Sequence, residues 1–377
     1  MIIYLTYNDQ PSGVYWSQVT DVVEHLNTLG HGTVRLVALV SGRDFRKTRR
    51  AIKAHSPRAL VLPMVPTMKR WRMNRWLLSW VCRFLRPTGM ICRGPFATWM
   101  ALRMRDRGLT KKVCFDGRGA YAAEWEEYRI IDDDALIAQL RPLEKEAVQS
   151  SDFRIAVSKA LVEHWQERYA YTGEAHVVVP CTLGLEFEKP VAGMIDRFRN
   201  DVGYSEEDIV LVYSGSTAGW QSFELLERFL VPLMSEQSNV RVTFLSKPDP
   251  KIASLQERFP GRVEAHWADP AMVKQLLVIY DHGILLREET ITNRVSSPTK
   301  FAEYLSVGVP VLISPGIGDF SALTREHDLG MVLDGHPPRL ARPSNSDRNR
   351  IERFAMEHFR KRAYGAAYGA LMKALSA

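Results

Sequence analysis

Short apolar runs rich in Val, Ile and Leu alternate along the chain with longer stretches of helical periodicity. This alternation is typical of a doubly wound parallel sheet, in which helices connect and cover successive strands. The apolar runs of the first half predict seven strands, at Ile2–Tyr7, Val34–Val40, Ala59–Met64, Gly89–Arg93, Val113–Asp116, Ile155–Ser158 and Val177–Pro180. A second series predicts six more, at Ile209–Ser214, Val240–Ser246, Val263–His266, Gly283–Leu286, Val309–Ser314 and Met331–Leu333.

The length of 377 residues favours two domains over a single core. Residues Leu183–Tyr204 lack a strand pattern and contain glycine and proline, which indicates a linker between the two series. We therefore expect an N-terminal domain over 1–185 and a C-terminal domain over 205–347. The last stretch, Arg348–Leu375, has the pattern of one long amphipathic helix, so 348–377 is expected to form a terminal helix.

Composition is that of a globular protein, with 46% hydrophobic and 25% charged residues. No run of apolar residues is long enough to span a bilayer, and the N-terminus reads as a strand without signal-peptide features. Together these observations predict a cytoplasmic location. Four cysteines without metal-binding spacing are typical of reduced thiols: Cys82, Cys92, Cys114 and Cys181. The net charge of +7 favours acidic partners without choosing among them.

The most informative pattern lies between Ser297 and Ser314. Pro298 suits the first turn of a helix that carries Lys300 and Glu303, and Gly308 ends it before a buried strand. The helix N-terminus and Lys300 could bind a diphosphate, while Glu303 could accept hydrogen bonds from a ribose. An ordinary surface helix with solvated charges is the alternative.

The segment resembles the nucleotide-sugar signature of family 4 glycosyltransferases of the GT-B fold, in which a late Glu precedes a Gly-x-Pro-Val run. The resemblance implies two Rossmann-like doubly wound domains, with a C-terminal helix that crosses back to the N-terminal domain. It implies a metal-independent, retaining transfer from a nucleotide-diphosphate sugar, without a cofactor. The expected donor-binding residues are Gly13, Gly215, Ser216, Lys247, Arg287, Arg294, Ser297, Thr299, Lys300 and Glu303. The expected catalytic residues are Asp116, Arg118 and Glu288.

The sequence departs from the family pattern at two positions. The loop after Ser214 carries Ser216 and then Trp220 or Gln221, where many members have the Arg and Lys that neutralise the diphosphate. The missing charge is expected from Lys247, Arg287, Arg294 and Lys300. Eight residues before Glu303 stands Val295 instead of a first glutamate, and Glu288 or Glu289 is the candidate replacement.

Two loops of the first half are candidates for substrate contact. Residues 115–120 and the later Glu124 resemble an Asp-x-Arg-Gly element, which lies where open α/β sheets bind ligands. A mutual salt bridge between Asp116 and Arg118 is the alternative. Gly13, in a loop that resembles the family's first loop, would let the backbone approach a sugar, or it serves only as a turn residue.

The segment 69–86 combines basic residues with tryptophan. Helical spacing predicts that one apolar face packs on the sheet: Met73, Leu77, Trp80, Val81 and Phe84. The rest of the segment is basic, with Trp71 and Trp76 among the charges, which suits an anionic membrane surface. A crossover helix with a solvated basic face is the alternative. No groove-reading motif accompanies the patch, so nucleic acid is not an expected partner.

The resemblance implies a glycosyltransferase that acts on a glycan or lipid-linked acceptor in cell-surface polysaccharide or glycolipid synthesis. Such an enzyme would be cytoplasmic or peripheral on the inner face of the membrane. A non-catalytic protein that keeps the GT-B fold is the alternative, because of the missing basic pair and first glutamate. A sugar-nucleotide epimerase is a third possibility, although it would have no reason for a basic membrane-facing helix.

Overall fold

The strands predicted from the apolar runs all form, and their ends differ from the predicted ones by at most two residues. The computed structural model describes residues 1–188, 199, 203–215, 222–267, 270–335 and 338–376. The chain divides into two compact units, and each is built on one parallel sheet. Unit 1 comprises Met1–Gly184 with Lys361–Ala377, and unit 2 comprises Leu185–Arg360.

Unit 1 holds a seven-stranded parallel sheet in the order β3-β2-β1-β4-β5-β6-β7. Its strands are β1 (Ile2–Tyr7), β2 (Val34–Val40), β3 (Leu60–Pro63), β4 (Gly89–Arg93), β5 (Lys112–Gly117), β6 (Phe153–Ala156) and β7 (His176–Val178). Every residue of β1 is buried, as expected for a central strand with helices on both faces. The order reverses between β1 and β4, so the topological switch point, where such sheets bind ligands, lies at their carboxyl ends.

Helices cover both faces of this sheet. They are α1 (Gly13–Tyr15), a π-helical turn (Trp16–Thr20), α2 (Asp21–Thr28), α3 (Phe45–His55), a 3-10 turn (Met68–Met73), α4 (Asn74–Leu85), α5 (Gly94–Arg105), α6 (Tyr121–Tyr128), α7 (Asp134–Ser150) and α8 (Lys159–Tyr169). One core cluster joins β1 and β4 to α4, α5 and α7, and a second joins the opposite face to α2 and α3.

Unit 2 holds a six-stranded parallel sheet in the order β10-β9-β8-β11-β12-β13. Its strands are β8 (Ile209–Ser214), β9 (Val240–Leu245), β10 (Val263–His266), β11 (His282–Leu285), β12 (Val311–Ile313) and β13 (Gly330–Val332). Its helices are α9 (Phe223–Glu236), α10 (Pro250–Arg258), α11 (Pro270–Leu277), α12 (Ile291–Arg294), α13 (Thr299–Leu305), α14 (Phe320–Glu326) and α15 (Asn345–His358). The order reverses between β8 and β11, which places the switch point of this sheet after Ser214 and Leu285.

A buried carboxylate ties the base of the unit 2 sheet together. Asp281, just before β11, has no solvent exposure and accepts a hydrogen bond from the backbone N–H of Val210 in β8, at 2.8 Å. Its oxygens also bind the buried guanidinium groups of Arg199 and Arg348, at 3.0 and 3.1 Å. The partners satisfy a charge that would be costly to bury alone.

The prediction of one terminal helix over Arg348–Leu375 is wrong. Helix α15 ends at His358 in unit 2, and a 3-10 turn precedes a separate helix, α16 (Gly365–Ser376), in unit 1. The chain passes from unit 2 to unit 1 after Arg360, so the two halves of the predicted helix pack on different cores. Lys361 is buried at this point, where it donates a hydrogen bond to the carbonyl of Leu183.

Helix α16 packs on the sheet of unit 1, as the expected return of the C-terminal helix requires. Tyr368, Leu371, Met372 and Leu375 belong to the core cluster that contains Ile2 and Tyr4 of β1. The boundary between the units therefore falls at 360/361, and the residues between 348 and 360 belong to unit 2.

The predicted packing face of α4 is only partly correct. Leu77 and Val81 contact the core, but Met73, Trp80 and Phe84 face solvent. The helix has two apolar faces, and the face that contains Leu78 and Val81 packs into the core of unit 1. Trp71 and Trp76 were both expected among the charges of the exposed face. Trp71 is instead fully buried, while Trp76 is exposed. Across the described residues, none of the helices has the length and apolar character needed to span a bilayer.

Candidate functional site

The carboxyl edge of the unit 2 sheet is organised by the hydroxyl of Tyr304. This side chain is fully buried in α13, and its hydroxyl accepts a hydrogen bond from the backbone N–H of Ser214, at 2.9 Å. Burial raises the pKa of the phenol, so it remains a neutral hydrogen-bonding group. The ring lies against Gly283 of β11, where a Cβ would overlap it. Helix α13 is thereby fixed to the ends of β8 and β11.

Arg287 and Glu288 follow the end of β11 and are held by neighbouring loops. The backbone N–H of Arg287 donates to the hydroxyl of Ser314 after β12, at 2.9 Å, and its guanidinium donates to the amide oxygen of Asn293, at 3.3 Å. A carboxylate oxygen of Glu288 accepts from the hydroxyl of Ser222, at 2.6 Å. Because Ser222 caps α9, Glu288 lies beside the end of the loop that follows β8.

Lys300 and Glu303 form an ion pair in α13, with the Lys300 Nζ 2.8 Å from a Glu303 carboxylate oxygen. Their side chains are 29% and 15% exposed, so both reach the surface without being freely solvated. Pro298 occupies the N-cap position and no side chain caps the backbone N–H groups of the first turn. Ser297 is buried before it, and Thr299 is the first helical residue.

The structure therefore brings together most of the expected donor-binding residues. Those tied to the ends of β8, β11 and β12, directly or through α13, are Gly215, Arg287, Ser297, Thr299, Lys300 and Glu303. Glu288, which was expected to be catalytic, follows β11 beside Arg287. Lys247 after β9, Arg294 at the end of α12 and Glu289 are exposed. Ser216 lies outside the described residues, as do Trp220 and Gln221. Tyr304, Asn293 and Ser222 were not singled out from the sequence, since only their tertiary contacts distinguish them from ordinary helix and loop residues.

A buried cluster of charges occupies the carboxyl edge of the unit 1 sheet. Asp116 at the end of β5 is fully buried, with Arg118 Nε at 3.1 Å and Arg93 Nη1 at 3.9 Å from its carboxylate oxygens. The hydroxyl of Tyr4 donates a hydrogen bond to the same carboxylate. The guanidinium of Arg93 also lies 3.6 Å from Asp9, which follows β1. The salt bridge between Asp116 and Arg118 is thus present, and the buried carboxylate orients two cations at the switch point.

Burial and pairing set the charges in this cluster. Burial raises the pKa of Asp9, although the charge of Arg93 opposes the rise. Burial alone would lower the pKa of Arg93, but Asp9 and other neighbours more than offset it, so the pKa of this guanidinium is raised. The pKa of Arg118 is raised for the same reason, chiefly by Asp116. Arg93 and Arg118 therefore remain cationic at the carboxyl edge of the sheet, near the switch point between β1 and β4.

Arg93 and Asp9 were missed as site residues in the sequence. The available signal was position, because Arg93 ends a predicted strand and Asp9 lies in the candidate first loop. A π-helical turn completes the arrangement, since the backbone carbonyl of Gln18 accepts from Arg118 Nη2 at 3.3 Å. Gly13 starts α1 without a left-handed φ, and a Cβ there would meet open space. A turn requirement therefore does not explain this glycine.

The described residues contain no group of three or more His, Cys, Asp or Glu side chains placed to hold a metal ion. Guanidinium, ammonium and hydroxyl groups lie beside the carboxylates at both sheet edges. Such groups bind anionic oxygens, and phosphate oxygens are the ligands that suit them best.

Among the solved structures similar to the chain, three that cover nearly its whole length illustrate the match. Sucrose-phosphate synthase from Thermosynechococcus elongatus has a TM-score of 0.69 at 13% identity, covering 99% of this chain and 98% of that one. HepE from Anabaena, in complex with UDP, has a TM-score of 0.70 at 10% identity, covering 99% of both chains. WaaG, a glycosyltransferase involved in lipopolysaccharide biosynthesis, has a TM-score of 0.60 at 15% identity, covering 100% of this chain and 94% of that one.

The chain has the GT-B fold. The prediction of two doubly wound Rossmann-like domains with a returning C-terminal helix is confirmed. No protein-family model matches the sequence, and no curated protein matches it. At identities this low the similarity establishes the fold, and the function has to be argued from the sites.

Proposed function

We propose that the protein is a glycosyltransferase whose unit 2 binds a nucleotide-diphosphate sugar and whose unit 1 binds a glycan or lipid-linked acceptor. Its proposed role is in cell-surface polysaccharide or glycolipid synthesis at the cytoplasmic side of the membrane. The transfer is proposed to retain the anomeric configuration and to need no metal ion, as in the family that the sequence resembles. Neither property follows from the fold alone.

The observation that carries the proposal is the arrangement at the unit 2 switch point. The Glu303 carboxylate is placed to accept hydrogen bonds from a ribose diol. Lys300 Nζ lies 2.8 Å from it, and Arg287 follows β11 at the same edge of the sheet. Tyr304 holds the start of the loop after β8 close to these residues. HepE, which shares the fold, was solved with UDP, and this supports a nucleoside diphosphate as the ligand class.

The proposed chemistry is stabilisation of the departing diphosphate. When the bond between sugar and diphosphate breaks, negative charge develops on the leaving oxygen, and fixed cations lower the free energy of that state. Lys300 and Arg287 are the proposed cations, with Lys247 and Arg294 as outer contributors. In unit 1, Arg93 and Arg118 are proposed to bind anionic or hydroxyl groups of the acceptor, with Asp116 orienting both.

The test is a thermal-shift and calorimetric titration of the full chain with UDP, other nucleoside diphosphates and their sugar derivatives. We expect one nucleotide to raise the unfolding temperature and its sugar derivative to be consumed when acceptor is supplied. Stabilisation without sugar transfer to any glycan or lipid-linked acceptor would favour the non-catalytic binding protein. No response to any nucleotide would refute the donor site.

The non-catalytic alternative has one structural observation in its favour. Lys300 and Glu303 neutralise each other as an ion pair. A site that has lost its ligand could keep such a pair as a simple surface contact. The two functions separate in one measurement, because a binding protein would hold the nucleotide sugar without cleaving it.

A further inference from the structure

A stripe of large apolar side chains stands in solvent along one face of α4. Trp76, Trp80 and Phe84 are 53%, 72% and 85% exposed, and Met73 just before the helix is half exposed. Their spacing of three or four residues places all four within roughly 80° of the helix circumference, over a length of roughly 16 Å. Folded domains rarely leave so large an apolar strip uncovered, so the stripe marks a binding surface.

Basic side chains surround the stripe. The guanidinium groups of Arg75 and Arg107 lie 5.2 and 4.8 Å from the ring centre of Trp76, and that of Arg83 lies 5.9 Å from the ring of Trp80. Further basic residues are exposed within residues 69–86: Lys69, Arg70, Arg72 and Arg86. At the end of α4, an open cavity of about 420 Å³ is lined by Arg83, Arg86 and Lys111, which leaves room for a phosphate group.

Charge along the chain is segregated around this helix. Residues 69–86 contain six Lys or Arg and no Asp or Glu. This segment therefore carries +6, against a net charge of +7 for the whole chain. The positive charge of this segment would repel basic partners and attract an extended anionic surface. Tryptophan and phenylalanine bordered by arginine is the composition of helices that lie in the interface of a bilayer.

We propose that the stripe Met73, Trp76, Trp80 and Phe84 is a docking surface for a membrane that contains anionic phospholipid. The aromatic rings insert at the level of the lipid headgroups, and the surrounding arginines bind headgroup phosphates. Two physical forces therefore act together, since apolar burial is insensitive to salt while phosphate binding weakens as salt rises. The surface belongs to unit 1 alone and does not depend on the proposed sugar transfer.

The experiment is co-sedimentation of the full chain with vesicles of phosphatidylcholine, with and without phosphatidylglycerol. The wild type is expected to bind only the anionic vesicles at physiological salt. The variant W80S/F84S should lower binding about tenfold or more at any salt concentration, because it removes the inserting rings. The variant R70S/R83S/R107S should lower binding about fivefold per charge at low salt and less at high salt.

Two matched controls come from the same chain. Trp267 in unit 2 is 63% exposed, so W267S removes an exposed tryptophan outside the stripe. Arg46, Arg49 and Arg50 are exposed on α3, so R46S/R49S/R50S removes the same charge from another basic helix. Neither control is expected to change vesicle binding by more than about twofold. Equal losses in a control and its stripe variant would overturn the proposal, because the location of the residues would not matter.

Two further outcomes would also overturn it. The first is a wild type that binds no anionic vesicle even at low salt. The second is a wild type that dimerises in lipid-free solution while the W80S/F84S variant is monomeric. The stripe would then be an interface between copies of this chain. Sedimentation velocity on the same samples measures the second outcome. The far-UV circular dichroism of each variant confirms that the fold is intact.

Discussion

Glu303→Ala is the most direct perturbation of the donor site. If the carboxylate accepts hydrogen bonds from both ribose hydroxyls, its removal leaves that diol without a charged acceptor in a partly buried site. Hydrogen bonds to a charged group are worth about 1.5–3 kcal/mol. That loss corresponds to a weakening of nucleotide binding by about 10- to 150-fold.

The same substitution should barely change the stability of the chain. Glu303 is paired with Lys300 across one helical turn, and both side chains reach solvent. Pairs of this kind contribute about 0.5 kcal/mol or less. For a unit of this size such a loss lowers the unfolding temperature by about 1–2 °C. A large loss of affinity with a small change in stability is therefore the expected signature.

The assay compares UDP with its 2′-deoxyribose analogue by isothermal titration calorimetry. The wild type should prefer the ribose form, because the carboxylate can then bind two hydroxyls instead of one. The Ala variant should bind both forms equally weakly, and Glu303→Gln should lie between them since it retains an acceptor without the charge. If the Ala variant keeps the wild-type preference for ribose, Glu303 does not contact the diol and the reasoning is refuted.

Three other predictions concern the charges at and beneath the sites. Lys300→Met should weaken UDP binding about tenfold while leaving uridine binding unchanged, and equal losses for both ligands would exclude a contact with the diphosphate. Asp281→Ala should destabilise unit 2 by about 3–5 kcal/mol, since Arg199 and Arg348 would be buried without their counter-ion; an unchanged urea midpoint by circular dichroism would contradict this. Burial raises the pKa of Glu144 from 4.5 to about 7. The folded state therefore binds more protons than the unfolded state between these values, and stability is lost as pH rises through this window. The loss is at most about 3 kcal/mol. Glu144→Gln should remove this pH dependence of stability. If the melting temperatures of the wild type and the variant fall in parallel from about pH 5 to about pH 8, Glu144 is not the cause.

The strands and their grouping into two sheets follow from the sequence alone. An apolar run such as Ile2–Tyr7 can only be stable where both faces are covered, and this local requirement is visible without any tertiary contact. The positions of Lys300 and Glu303 on one helix, and of Asp116 and Arg118 at a strand end, also follow from local pattern. These residues were therefore accessible as candidates from the sequence.

Only the tertiary structure decided which apolar face of a helix is buried and where a long helical pattern is interrupted. Helix α4 has two apolar faces, and the tertiary packing of unit 1 buries Leu78 while Trp80 and Phe84 remain in solvent. The long terminal pattern divides because the chain changes units after Arg360. Periodicity identifies an apolar face but does not identify what covers it.

The same reason explains the site residues that the sequence did not identify. Arg93 joins Asp116 and Asp9 because β4 lies between β1 and β5 in the sheet. Tyr304 reaches Ser214 across 90 residues of chain, through the adjacency of β8 and β11. Hydrogen bonds and ion pairs act over a few ångströms in space, and sequence patterns report only neighbours along the chain. The residue types were set by the sequence, and their partners were set by the order of strands in each sheet.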